Sequence, residues 1–327
     1  MSHLKDVDFE NPCGYCQKKA SRILYDTQDI YEDKYLVNQC THCQAIFLSP
    51  RPTNEQLSRA YDESYYGEQD HKFSPTVEKI LDFFRSQRAN IVTRYVLPPA
   101  KVLDIGCGNG RFLQYVRSKG KYQIYGVELP GKAADRAAAI EGIQLKKGTL
   151  EYDDFETETF DVITLFHVFE HLAEPVKTLE IIQKILKTDG KLIMSFPNID
   201  SFQSNVFKGK WLHLDPPRHL FFFKPKDFVK EMQQYGFELV SETYFSTEQN
   251  PFGMQQSILN KLFKKRELLY EYLKGNDDYT KDYSKASLLM QRAFFVLTFP
   301  LFAVVDMIES MFKKGATVEF VFNKKAK

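Results

Sequence analysis

The sequence predicts an α/β fold in which a mostly parallel β-sheet is covered on both faces by helices. Three observations carry this. Strand-like apolar runs alternate with helical patterns from Ala100 to Tyr244. The stretch KVLDIGCGNG, Lys101 to Gly110, runs apolar into an acid and then places glycines at 106, 108 and 110, as a buried strand does when it turns sharply into a helix. The next strand, Gln123 to Val127, ends at Glu128, where an acid can grip the sugar hydroxyls of a ligand held by the first turn.

The glycines let the backbone bend and approach a ligand where any Cβ would collide. Phe112, Leu113 and Val116 then recur at helical spacing. A dinucleotide fingerprint would need glycine three positions after Gly108, but Arg111 stands there, which disfavours nicotinamide or flavin binding.

A chain of 327 residues with a formal charge of +1 buries a sizeable core and has no global pull toward nucleic acid or an anionic membrane. The opening MSHLKDVDFENPC is polar and does not read as a secretory leader, so a cytoplasmic location is expected. Four of the five cysteines form two CxxC pairs, which suits metal ligation in a reducing compartment better than disulfides. Cys107, inside the glycine loop, reads as buried and inert.

Taken in order, Cys13, Cys16, Cys40 and Cys43 could close a tetrahedral zinc site around a small ribbon, with no open position for water and hence a structural role. His42 is a substitute ligand or a solvated knuckle residue. A short helix capped near Thr53 follows, then the tyrosines 61, 65 and 66. Residues 1–66 form this prefix, 67–74 a polar linker, and 75–244 the main domain. An amphipathic helix spans Pro75 to Tyr95. Helix 131–140, strand 160–166, helix 175–186 and strand 191–196 continue the alternation, with a further apolar-leaning strand at 143–147. Helix 226–235, strand 237–244 and a last strand at 317–322 close the domain, the last lying in a 315–327 segment with a basic tail.

These motifs resemble the class I S-adenosylmethionine-dependent methyltransferases, whose fold is a Rossmann-like seven-stranded sheet. The resemblance implies that the loop at Gly106, Gly108 and Gly110 wraps the cofactor's methionine portion and that Asp104 supports the loop and the bound amino acid. It further implies that Glu128 holds the ribose, Thr149 and Leu150 flank the adenine, and Phe166 and His167 lie beside the methyl donor. The cysteine-rich opening is similar to a prefix on bacterial methyltransferases that modify sugars, lipids or secondary metabolites, where the tyrosines lie near the substrate; packing between ribbon and main domain is the alternative. The last two strands would be the antiparallel pair closing the sheet.

His167-Val-Phe-Glu170-His171 matches an inverted zinc-protease pattern but sits at a strand end. Glu170 and His171 read as a wall beside the cofactor, with a divalent ion as a secondary reading. Asp215-Pro-Pro217 follows the fifth strand, not the fourth, so the base-methylating motif it resembles does not apply. The loop holding it also contains Trp211, His213, Arg218 and His219. Methylating a hydroxyl requires alignment and a proton acceptor, for which histidine suits. His213 and His219, with His171, are the candidate catalytic residues, and Arg218 is a candidate for an anionic substrate group.

Residues 245–314 exceed a minimal fold and are expected to hold a helix at 255–273 and another at 285–312. The almost wholly apolar run 293–305 is too short to span a bilayer. A lid, an in-plane membrane contact aided by Lys261, Lys264, Lys265, Arg266, Lys313 and Lys314, or a homodimer contact would account for it. The expected activity is methyl transfer to a small-molecule or lipid-linked acceptor. An RNA methyltransferase with a zinc ribbon is the alternative, disfavoured by the near-neutral charge. A non-catalytic cofactor-binding scaffold is another.

Overall fold

The computed structural model describes residues 12–61 and 75–326. Tyr65, Tyr66 and the linker 67–74 lie outside the described residues. The chain opens with β1 (Ser21–Gln28), β2 (Lys34–Cys40), β3 (Ile46–Ser49) and α1 (Asn54–Ala60). Thr53 and Gln56 form a reciprocal capping box at the start of α1, as expected from the sequence.

The main domain runs α2 (Pro75–Tyr95), β4 (Ala100–Ile105), α3 (Arg111–Ser118), β5 (Tyr122–Glu128), α4 (Lys132–Ala138), β6 (Ile143–Lys147) and β7 (Phe160–Phe166). It continues through α5 (Pro175–Ile185), β8 (Leu186–Pro197), α6 (Phe202–Phe207), β9 (Phe221–Phe222), α7 (Pro225–Gln234) and β10 (Phe237–Thr243). The segment before the last strand contains α8 (Asn250–Leu262), α9 (Leu268–Lys274), α10 (Asp277–Thr280) and α11 (Lys285–Met311), and β11 (Thr317–Lys324) ends the domain.

The central sheet has the order β10-β11-β8-β7-β4-β5-β6. β6, β5, β4, β7 and β8 are parallel, while β11 is antiparallel to both β8 and β10. Strand order reverses direction at β4, so the crevice for a ligand opens at its carboxyl end. Val102, Leu103, Val162, Ile163, Leu165 and Ile193 are fully buried, as continuous apolar strands covered on both faces must be. One face is covered by Leu113 and Val116 of α3, the other by Leu179, Ile182 and Phe228 of α5 and α7.

A second sheet, β1-β2-β3-β9, is antiparallel. Its outer member comes from far along the chain, since Phe221 and Phe222 of β9 pair with Phe47 and Ile46. The cysteine-bearing prefix is therefore stitched to the loop that follows β8. The Tyr15 hydroxyl adds a hydrogen bond of 2.8 Å to Glu231 on α7.

The segment before β11 departs from the single helix expected at 255–273. α8 starts at Asn250, because a proline in the first turn costs no hydrogen bond. The chain then breaks where Glu267 adopts φ +56°. Arg266 turns inward there, with its side chain 1% exposed. Its guanidinium donates to the carbonyls of Gln28 (3.1 Å), Gly209 (2.6 Å) and Trp211 (2.9 Å) and pairs with Glu267 at 2.7 Å. Arg266 is thus internal, not part of a basic surface.

Candidate active site

The glycine loop leaves β4 at its carboxyl end. Gly106 and Cys107 donate backbone N–H groups to the Val127 carbonyl at 2.8 and 3.1 Å, tying the loop to β5. Gly106, Gly108 and Gly110 have φ of +72°, +56° and +74°, a region that L-residues other than glycine enter at a cost. Gly106 and Gly110 are packed: a Cβ at Gly106 would lie 2.4 Å from Val168, and one at Gly110 would lie 2.7 Å from Ile143. Among the described residues Gly108 faces open space, with nothing within 4 Å of its would-be Cβ. The loop is thus closed at its two ends and open at its middle, a cradle for a ligand's backbone-like portion.

Glu128 ends β5 beside the cradle, accepting N–H groups from Gly108 at 2.7 Å and Leu129 at 3.1 Å. Burial raises its pKa, against these two hydrogen bonds. Asp104 is buried beneath the loop and accepts from Thr164 Oγ1 at 2.6 Å. Burial pushes its carboxyl up to about 7, opposed by the Thr164 hydrogen bond and Arg88 and reinforced by Glu128. At the end of β6, Thr149 is exposed while Leu150 is buried. Phe166, ending β7, packs edge-on against Phe112 with centroids 5.1 Å apart. Asp104, the three glycines, Glu128, Thr149, Leu150, Phe166 and His167 therefore share one edge of the sheet, the carboxyl ends of β4, β5, β6 and β7.

His167 takes φ +55° and lines a small polar pocket with Arg88, Ser195, Glu248, Gln249 and Glu319. Burial and the Arg88 charge lower the His167 pKa to about 4, so its ring is neutral near pH 7. Arg88, Glu248 and Glu319 were missed in the sequence. Arg88 reads there as the solvated side of an amphipathic helix. The sequence signal for Glu319 is a charge in the apolar strand β11; it is half-buried, and desolvation raises its pKa to about 7.

Behind His167 lies a group of buried ionisable side chains. Glu170 Oε1 is 3.5 Å from His167 Nδ1 and 3.9 Å from His219 Nε2. Among the described residues neither Glu170 oxygen has a hydrogen-bond partner, and burial raises the carboxyl to about 7. The His171 and His219 rings meet at 4.6 Å. His171 Nδ1 lies 2.9 Å from the Tyr61 hydroxyl and 3.0 Å from the Arg218 carbonyl, so the first of the expected tyrosines reaches this wall. His219 Nδ1 donates to the His213 carbonyl at 2.9 Å. His213 packs on Trp211, lies against the Gln249 backbone and, among the described residues, has no partner for Nε2. Burial, the leading cause in both, lowers His213 to about 4 and puts His219 well below the ordinary histidine value. His167 borders the described pocket directly; His213 stands one layer back, behind Gln249.

Arg218 is not free for a substrate anion. Its guanidinium clamps Asp215 through Nε at 2.9 Å and Nη2 at 2.5 Å and donates Nη1 to the Ala60 carbonyl at 3.3 Å. It holds the loop in shape.

In the prefix, the Cys13 and Cys43 sulfurs lie 3.7 Å apart and those of Cys16 and Cys40 3.6 Å apart. All four sulfurs lie within 4.8 Å of one another. A tetrahedron with metal–sulfur bonds of about 2.3 Å has edges of about 3.8 Å. The cluster is compatible with zinc, and His42, exposed, is outside it.

Residues 71–242 match the family described as a methyltransferase domain, covering the glycine loop and every strand from β4 to β9. The chain belongs to this family. It is a methyltransferase that depends on S-adenosylmethionine, and the β10-β11-β8-β7-β4-β5-β6 sheet is the seven-stranded fold expected. The methyltransferase is 26% identical over 171 residues to a ubiquinone biosynthesis O-methyltransferase of Actinobacillus pleuropneumoniae, spanning 44% of this chain and 73% of that protein. It is also 26% identical over 147 residues to protein MJ1123 of Methanocaldococcus jannaschii, spanning 45% and 69%. Among solved structures, a SAM-dependent methyltransferase from Archaeoglobus fulgidus aligns with a TM-score of 0.47 at 17% identity, over 74% of this chain and 94% of that one.

Proposed function

We propose that the methyltransferase transfers a methyl group to a hydroxyl of a small-molecule acceptor: a sugar, a lipid-linked glycan or a related metabolite. The observation that carries this reading is the pair His213 and His219, buried and kept neutral beside the wall beyond the end of β7, because a hydroxyl must lose its proton as it is methylated. The relative named as an O-methyltransferase supports it. In this reading the cradle at Gly106, Gly108 and Gly110 and the acids Asp104 and Glu128 hold S-adenosylmethionine, which supplies an electrophilic methyl on a sulfonium. His167 forms the wall between cofactor and acceptor. His213 or His219 receives the acceptor's proton, and His171 orients His219 by ring contact.

The test is methyl transfer from labelled cofactor to a panel of glycans and hydroxylated lipids. His213→Ala or His219→Ala is expected to leave cofactor binding intact and slow transfer by roughly 10²- to 10⁴-fold for whichever ring is the base. Gly253→Ala puts a Cβ 2.2 Å from His213 Nε2, so it should mimic the loss of His213. Unchanged rates in both histidine variants would remove them as bases. Intact cofactor binding with no acceptor methylated would favour the non-catalytic reading.

Asp104 gives a second test. With its carboxyl near 7, it is mostly protonated below neutrality and cannot attract the cofactor's ammonium. Affinity for S-adenosylmethionine should therefore rise between pH 5.5 and 7, approaching about tenfold per unit where Asp104 is protonated. Calorimetric titration across this range should lose that slope in Asp104→Asn; a flat wild-type profile would exclude Asp104 as the cation's partner.

We also propose that Cys13, Cys16, Cys40 and Cys43 bind structural zinc. Four thiolates leave no position for water, so the metal's contribution is to the ribbon's folding.

A further inference from the structure

α11 is inside-out. Its two acids, Asp306 and Glu309, are buried, as is Gln291. On the opposite side Leu289, Met290, Val296, Leu297, Leu301, Val304, Met307, Ile308 and Met311 are each more than half exposed. These positions recur every three or four residues and form one apolar stripe along the whole helix. Water would favour the reverse arrangement, with the aliphatic side chains turned inward and the acids outward.

Polar contacts hold the helix in place. Gln255 of α8 donates to the Phe295 carbonyl at 2.8 Å and to Thr298 Oγ1 at 2.7 Å, and Asn250 donates to Asp306 at 2.6 Å. These contacts run α8 and α11 antiparallel and leave no freedom to roll the stripe inward. A lid that closes by turning this helix is therefore disfavoured.

By length and composition α11 could cross a membrane, with a mean hydropathy of 1.9 in its most apolar window, of which 11% is buried. Crossing is incompatible with its attachments, because the polar face lies along α8 and the chain enters β11 of the central sheet at Thr317.

We infer that this stripe rests in the plane of an anionic lipid bilayer, with α8 and the domain on the aqueous side. The helix's own charges sort accordingly: acids inward, and the cations Lys285 and Arg292 exposed beside one end of the stripe. Lys261, in the last turn of α8, and Lys264, just beyond it, are exposed near that same end, whereas at the other end Lys313 pairs with Glu242 at 2.5 Å. Anionic headgroups match the cations Lys261, Lys264, Lys285 and Arg292 gathered at the amino-terminal end of the stripe. Asp306 also accepts the Ser246 N–H at 3.1 Å, and Ser246 lines the pocket beside His167, so the inner face of the helix that carries the stripe is tied to the wall of the candidate acceptor site.

The test is flotation of the full chain with vesicles of phosphatidylethanolamine and phosphatidylglycerol, with pure phosphatidylcholine vesicles as a neutral reference. The wild type is expected to float with the anionic vesicles, less with the neutral ones. The double variant Leu297→Glu, Leu301→Glu should lose at least about tenfold in partitioning while keeping its thermal midpoint and cofactor affinity. Val304→Glu with Met307→Glu serves if the first pair misfolds. Flotation that is unchanged in the variants, or absent in the wild type, overturns the inference. So does a wild-type dimer in sedimentation that the same variants make monomeric without vesicle binding.

Discussion

Gly108→Ala is expected to abolish cofactor binding while leaving the fold almost untouched. At φ +56° with none of the described residues within 4 Å of its Cβ, the cost in the free protein is the left-handed backbone alone, about 1–2 kcal/mol. That corresponds to a fall in thermal midpoint of a few degrees. The added methyl projects into the open middle of the cradle, where the cofactor is proposed to lie, and the expected loss of affinity is at least about a hundredfold by calorimetry. Gly106→Ala is the contrast. Its Cβ meets Val168 at 2.4 Å, so stability and binding should fall together. Tight binding by Gly108→Ala would show that the ligand does not pass over this residue.

Cys13→Ser should cause the largest loss of structure of any single substitution in the prefix. Purified wild-type protein is expected to carry zinc, and the variant to release it. A structural zinc is worth on the order of 10 kcal/mol to a small domain, so β1, β2 and β3 should melt. The damage should not stop there, because β9 pairs with β3 and His219 stands two residues before β9. Transfer should collapse, whereas S-adenosylmethionine should still bind, since Gly106, Gly108, Gly110 and Glu128 belong to the other sheet. Metal analysis, near-ultraviolet circular dichroism and cofactor titration of the same sample separate these effects. Wild-type protein free of zinc would refute the metal assignment.

What the sequence disclosed and what it concealed divide along the range of the interactions. The glycine loop, the β6 and β7 limits and the α2 helix were legible because each is fixed by residues within a few positions of one another. The four cysteines were legible because metal ligation prescribes their spacing. β9 was not, since two phenylalanines announce no strand and their partner lies at Ile46 and Phe47. Arg218 read as an anion binder because its bidentate partner, Asp215, comes into reach only when Asp215 takes φ +39°. The convergence of Glu170, His171 and His219 needed the fold, which closes 48 positions of chain between Glu170 and His219 into one contact. α11 gave its length and apolarity in sequence, but only packing on α8 revealed which side faced outward.

Arg266 bears on how such a molecule assembles. Its guanidinium is anchored by Gln28 of the prefix, by Gly209 and Trp211 of the post-β8 loop, and by Glu267 beside it. A charge so buried is tolerable only when its donors are satisfied together. A partly assembled chain lacking any one of these segments would enclose an unsatisfied cation. The arginine therefore couples the prefix, the post-β8 loop and the turn after α8, since the docking of each satisfies donors that the others leave open. A lysine, with its point charge in place of a planar fork, would keep the charge and lose the three-way join.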